Sequence, residues 1–174
     1  GHQGGRMYCH GIAAIALCEA YGLTKDPKLK DPAERAIEFI LKTQHAQGGW
    51  RYEPRQAGDL SVTGWQYMAL HSARMADLKV PEEAFIKTRK YLDSVSGGRV
   101  GGRYGYTGKG NGPPAMTATG MFLRQLDLTP PNAPHQQESA AHLKAHMLKA
   151  NRVEFYFDYY ATLALYPHQG PVWE

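Results

Sequence analysis

Gln44-His45-Ala46-Gln47-Gly48-Gly49-Trp50 ends one helical pattern and stands before another. A Gly-Gly pair followed by Trp marks a chain reversal. Just upstream, Ala33, Ile37, Ile40 and Gln44 share one helical stripe, with Glu34, Arg35 and Glu38 elsewhere. That amphipathic helix opens at Asp31-Pro32, an N-cap followed by a proline at the first helical position. Before it, Tyr8 to Tyr21 is rich in Ala, Ile and Leu and stops at Gly22, a C-cap signal. After the loop, Ser61 to Met75 is a second mostly small and apolar helix that contains Thr63-Gly64-Trp65.

The same order then recurs. Val80-Pro81-Glu82-Glu83 starts a second amphipathic helix that runs to about Val95 and ends in Gly97-Gly98-Arg99-Val100-Gly101-Gly102-Arg103-Tyr104. A third apolar helix carries Thr117-Ala118-Thr119-Gly120-Met121. Pro130, Pro131 and Pro134 precede a third polar helix over about Gln136 to Lys149. A last apolar helix, about Val153 to Tyr166, carries Tyr159-Tyr160-Ala161-Thr162. With Gly11, Gly64, Gly120 and Ala161 in equivalent places, the unit recurs after 53, 56 and 41 residues, a repeat architecture. The pattern predicts seven helices and no strand. The all-apolar helices must be buried and the amphipathic ones must cover them, which an inner ring wrapped by an outer ring satisfies.

Composition agrees with a folded helical chain. Of 174 residues, 43% are hydrophobic and 21% charged, close to globular averages. Disorder, a collagen-like rod and a disulfide-dense miniprotein are excluded, and no apolar run approaches the roughly 20 residues of a membrane span. The first residues, Gly1-His2-Gln3-Gly4-Gly5-Arg6, lack the apolar core of a signal peptide, and the compartment stays open. A net charge of +4 is dispersed along the chain, with acids near Lys25–Lys30 and Lys87–Lys90, so it implies solvated helix faces and no nucleic-acid stripe. Cys9 and Cys18 sit on one helix about 13.5 Å apart and on opposite sides, too far to pair.

The Gln44 to Trp50 stretch resembles the QW motif of squalene and hopene cyclases, a Gln a few residues before Gly-Gly-Trp. Gly101-Gly102-Arg103-Tyr104 resembles a degenerate second copy without the Gln or the Trp. Those cyclases, the protein prenyltransferase β-subunits and complement-like thioester domains share an α/α toroid. The resemblance implies an all-α chain of α-hairpins, residues 1–174 as one toroid-like repeat domain. It also implies a structural role for Gln44, Gly48, Gly49 and Trp50. The glycines permit a tight reversal, the Gln amide satisfies backbone groups at a neighbouring helix end, and the Trp covers the junction between hairpins.

What the resemblance implies about chemistry depends on the acids. The cyclases protonate an alkene from an Asp-x-Asp-Asp-Thr motif opening an inner helix. Laid on Thr63, the first Asp matches Asp59, and the next two acidic places are Ser61 and Val62. A serine hydroxyl is no strong acid, so this segment is not expected to start a cyclisation. Asp59 reads as an N-cap or loop acceptor, with a residual acid or binding role as the alternative. The prenyltransferases hold zinc with an Asp, a Cys and a His; here Cys9 and His10 are adjacent with no acid at a matching spacing. His142 and His146, spaced i, i+4, lack a third ligand. The expectation is therefore no metal and no cofactor. The Cys-Gly-Glu-Gln run of thioester domains is absent, and Thr107 to Gly112 lacks the phosphate-loop pattern.

Three catalytic candidates remain: Asp59, Glu53 and His10. Glu53 and Asp59 share one loop and keep a carboxylate-pair hydrolase open. The ligand-contacting candidates are Tyr8, His10, Trp65, Tyr67, Tyr106 and Tyr159, near the starts of inner helices, where aromatics would line an apolar cavity or pack between hairpins. Six hairpins close the family's toroid, which at about 50 residues each needs about 300. The chain supplies about three and a half, and Gly4-Gly5 reads like the tail of an earlier loop. A segment of a longer chain forming a half-barrel arc is expected. Such an arc exposes inner-helix surface to a second copy or to the remainder of the chain. The function expected is a non-catalytic module that takes an apolar small molecule, a peptide or a protein partner on a concave aromatic face. The alternative is a divergent terpenoid cyclase, or less readily a carbohydrate-active enzyme, whose site is completed outside the segment.

Overall fold

The computed structural model describes residues 6–148 and 153–170. Among them are seven helices: α1 (Arg6–Thr24), α2 (Pro27–Thr43), α3 (Leu60–Met75), α4 (Glu82–Val95), α5 (Pro114–Leu126), α6 (Pro134–Met147) and α7 (Phe155–His168). No helix of these is long and apolar enough to cross a membrane. The Gly4-Gly5 loop tail lies outside the described residues. One element departs from the all-helical expectation. β1 (Ser96–Gly97) and β2 (Arg103–Tyr104) form a two-stranded antiparallel ladder, Ser96 opposite Tyr104 and Gly97 opposite Arg103. Left-handed Gly98 and Gly101 fold the loop between them back on itself, so the glycines make a hairpin where a plain loop was expected.

Internal packing divides the chain into two compact units, Gly1–Tyr91 and Leu92–Glu174. In the first, α1 packs on α3 and α2. Met7 with Gln66, Glu19 with Ser72 and Gly22 with Ala76 meet in rising order, so α1 and α3 run parallel. The core there is Met7, Ala14, Cys18, Ile37, Ile40, Trp50, Leu60, Tyr67, Leu70 and Phe85. In the second unit α5 packs on α7 and α6. Phe122 against Tyr160, and Gln125 bonded to the Ala164 carbonyl, again give parallel helices. Tyr104, Met121, Leu123, Leu143, Phe157, Tyr160 and Leu165 form that core.

Two helix boundaries correct the sequence expectation. The Asp-Pro cap of α2 is Asp26-Pro27, with Asp26 Oδ1 accepting from the Lys28 N–H at 2.9 Å. Asp31-Pro32 lies inside the helix, where Pro32 leaves one backbone carbonyl without its helical partner. Gly22 does not end α1. It lies in the last turn, where an added Cβ would stand 3.2 Å from the Ala76 Cβ, so it is small because α3 is close. The left-handed residue after α1 is Lys25, at φ 51°. Asp77, Leu128 and Gln169, at φ 64°, 61° and 57°, take the same conformation after α3, α5 and α7. α1, α3 and α5 therefore end in left-handed turns without glycine, while after α7 Gly170, at φ 78°, follows Gln169. After α3 and α5 the turn closes with N–H donors from Leu78 to the Ala73 carbonyl and from Thr129 to the Arg124 carbonyl.

Candidate functional site

In the first unit the loop from Gln44 to Asp59 meets the start of α3. Gly48 has φ +96°, and a Cβ on it would lie 2.0 Å from the Lys87 carbonyl oxygen, so only glycine fits. Gln44 Nε2 lies 2.9 Å from the Gly48 carbonyl oxygen, 3.1 Å from that of Ala84 and 3.1 Å from Thr88 Oγ1. One side-chain amide thus joins the loop to α4. Trp50 is buried and donates from Nε1 to the Ile40 carbonyl at 2.9 Å. Its backbone is clasped by Thr63, whose Oγ1 accepts from Trp50 N at 3.0 Å and donates to Trp50 O at 3.2 Å.

The same loop delivers Asp59, a carboxylate that is 0% exposed. Asp59 is the N-cap of α3: Oδ1 accepts from Val62 N at 2.9 Å and from Ser61 Oγ at 2.6 Å. The Tyr8 hydroxyl donates to Ser61 Oγ, so a chain of hydroxyls runs from α1 to the carboxylate. Oδ2 has no hydrogen-bond partner among the described residues; Arg51 Nε lies 3.8 Å from it. Burial, and secondarily the charge of Asp59, push the Tyr91 phenol well above its ordinary value. A hydroxyl held neutral there suits a packed junction.

Chemically, this arrangement holds a helix end. An acid that protonates an alkene must present its O–H to the substrate. Asp59 is instead 0% exposed, with Oδ1 taken up by two donors at the start of α3. Glu53 is exposed on the same loop, its backbone N–H donating to Gln56 Oε1 at 3.1 Å. His10 turns away from this cluster. Its Nε2 pairs with the Ala36 carbonyl of α2 at 2.9 Å, which requires a proton on that nitrogen, and its ring lies 4.6 Å from that of Phe39. The three catalytic candidates are therefore a buried cap, a surface carboxylate and a helix-pairing imidazole.

The aromatic candidates also separate. Tyr8 is half-buried, its ring 6.0 Å from that of Tyr52. Tyr67 is fully buried, in contact with the rings of His71 and Phe85 at 4.7 and 5.6 Å. Trp65 is half-buried on the α3 face that meets Gly11. In the second unit Tyr106 is half-buried in the glycine-rich loop, and Tyr159 is exposed on α7, edge-on to Tyr160 at 5.1 Å. Among the described residues no three His, Cys, Asp or Glu side chains converge as metal ligands.

The second unit builds its own junction on the degenerate motif copy. Tyr104 stands where Trp50 does, with its N–H donating to Thr117 Oγ1 at 3.2 Å. Gly102 stands where Gly48 does: a Cβ on it would lie 2.3 Å from the His135 carbonyl oxygen. Ser139 Oγ meets the Gly102 and His135 carbonyls at 2.6 and 2.9 Å, as Thr88 Oγ1 meets those of Gly48 and Ala84 at 3.2 and 3.0 Å. These pairs align the loops, Trp50 with Tyr104 and Thr63 with Thr117, and place Gly64 opposite Ala118. Gly120 does another job: a Cβ there would lie 2.3 Å from the Tyr104 ring, which rests on it.

No Gln is present at this second junction, and Glu138 of α6 replaces it. Its carboxylate accepts from the backbone N–H groups of Arg99, Val100 and Gly102 at 2.7, 3.0 and 2.8 Å. Its slight burial works the other way, but the three donors outweigh it and hold Glu138 below the ordinary glutamate value. Sequence reading missed Glu138, Thr63 and Thr117. The two threonines carried a signal, each thirteen residues after the aromatic that closes its glycine loop. Glu138 carried none. Compared with protein-family models, curated proteins and solved structures, this chain finds no match.

Proposed function

We propose that this chain is a non-catalytic module of α-hairpins, arranged as in the α/α toroids of terpenoid cyclases and prenyltransferases, that binds an apolar ligand or a protein partner. The observation that carries this reading is the state of Asp59. The acid at the place where a cyclase opens its proton-donating motif is buried and committed to capping α3, and Ser61 fills the next acidic place.

Support for binding comes from helices that are apolar on the side that protein does not cover. On α1, Ile12 is 48% exposed, in line with exposed Cys9, Ala13 and Ala16. On α7, Phe155 is 84% exposed, in line with Tyr159 and Tyr166. Contiguous apolar surface of this kind marks a contact face. The alternation of mostly apolar helices, α1, α3, α5 and α7, with the polar α2, α4 and α6 supports the toroid-like arrangement. The test is a titration with farnesol, followed by tryptophan fluorescence, beside a chromatographic assay for products from squalene. Saturable binding without products is expected. Cyclised product would overturn the non-catalytic reading, and absence of binding to farnesol and to apolar peptides would overturn the module reading.

A further inference from the structure

Because α1 and α3 run parallel, their C-terminal ends lie side by side. A groove of about 360 Å³ opens there, lined by Cys18, Glu19, Gly22, Leu23, Ser72 and Met75, together with Ala76. Its volume falls within the roughly 300–1,000 Å³ of small-molecule sites. Leu23 and Met75, 88% and 84% exposed, are among its lining residues. Gly22 keeps the groove open, since any side chain there would grow towards Ala76.

Glu19 is the charged residue lining the groove, and its Oε1 accepts from Ser72 at 3.3 Å. Two cations stand beside the groove, each paired with an acid. Lys25 Nζ is held by the Ala76 carbonyl at 3.1 Å and by Asp77 at 3.0 Å. Arg74 is paired with Glu82 at 2.7 Å and stacked 3.6 Å over the Phe85 ring. Both helices carry their negative dipole ends here; α3 has Arg74 in its last turn and Lys25 on its Ala76 carbonyl, whereas α1 has no basic residue in its last turn. Burial, and secondarily Glu19, push the Cys18 thiol up to about 11, so it adds no reactive anion.

We propose that this groove binds an aliphatic chain bearing an ammonium head, the chain against Gly22, Leu23 and Met75 and the head against Glu19. This deepens the apolar-ligand reading above and rests on it. An anionic head would lie beside the Glu19 carboxylate and the carbonyl end of α1. A neutral head would gain no ion pair with Glu19.

The test compares n-octylammonium, n-octanol and octanoate by calorimetry and by backbone amide shifts. Octylammonium is expected to move the amides of Gly22, Leu23 and Ala76 and to bind up to about fivefold more tightly than octanol, the size of an exposed ion pair. Octanoate is expected to bind most weakly. Glu19→Gln, at an exposed position, should level octylammonium with octanol. Gly22→Leu should fill the groove and abolish both; should that variant not fold, Leu23→Asn removes the apolar rim at an exposed site and should weaken both. Equal binding of octanoate, an ammonium preference that survives Glu19→Gln, or shifts away from these amides would overturn the groove assignment. Octanol or farnesol bound elsewhere would overturn the groove alone, whereas failure of every apolar probe would overturn the module reading as well.

Discussion

Trp50 and Tyr104 close the same kind of junction, but the supports reach them from opposite directions. At Trp50 the loop supplies its own amide, and Gln44 reaches out to α4. At Tyr104 helix α6 supplies a carboxylate, and Glu138 reaches back into the loop. Both arrangements satisfy groups that a tight reversal would otherwise leave unpaired. The glycine against a polar helix, α4 or α6, and the hydroxyl clamp, Gly48 with Thr88 and Gly102 with Ser139, are common to both. The backbone geometry of the junction is therefore what recurs, and the side chain that braces it is exchangeable.

The glycines should break both junctions alike. Gly48→Ala and Gly102→Ala each put a Cβ within 2.3 Å of a carbonyl oxygen. Each should cost about 4 kcal/mol or prevent folding, read by urea denaturation. A tolerated Gly102→Ala would show that the second loop can shift where the first cannot. The aromatics should separate the junctions. Trp50→Ala should cost about 3–5 kcal/mol, while Tyr104→Phe keeps the ring and loses only the bond from Arg124 Nε at 3.3 Å, costing about 1 kcal/mol.

The braces should differ in pH dependence. Gln44→Ala should cost about 1–3 kcal/mol at every pH. Glu138 has a lowered folded-state value, so its contribution is complete above the ordinary glutamate range and fades as pH falls through the folded value. Acid titration of the unfolding free energy should show this limb in the parent and lose it in Glu138→Gln; an unchanged limb would sink the assignment. The smallest effect is at the helix ends. Leu128 is exposed and left-handed, so Leu128→Gly should raise stability by about 0.5–1 kcal/mol in thermal melts.

Local patterns carried the parts of this fold that depend on neighbours in sequence. The Ala, Ile and Leu richness of Tyr8–Tyr21 and the mostly small and apolar run Ser61–Met75 sufficed for α1 and α3, and Asp59 before Leu60 sufficed for the cap of α3. Where two identical local signals competed, sequence could not arbitrate: Asp26-Pro27 and Asp31-Pro32 are the same dipeptide five residues apart. Gly22 resembled a stop signal because its reason is Ala76, more than fifty residues away. Glu138 was invisible for the same reason, since its donors are backbone groups 36 to 39 positions upstream. The candidate contact residues gathered by composition, Tyr67 among them, mixed core with surface, because an aromatic serves either place equally well.

The two cysteines have a practical consequence. Cys18 is buried with its thiol pushed up to about 11, and Cys9 is exposed on the apolar side of α1. Thiolate is the species that alkylating reagents attack, so maleimide at neutral pH should mark Cys9 alone. A fluorophore attached there would report, by its change in polarity, when that side of the helix becomes covered.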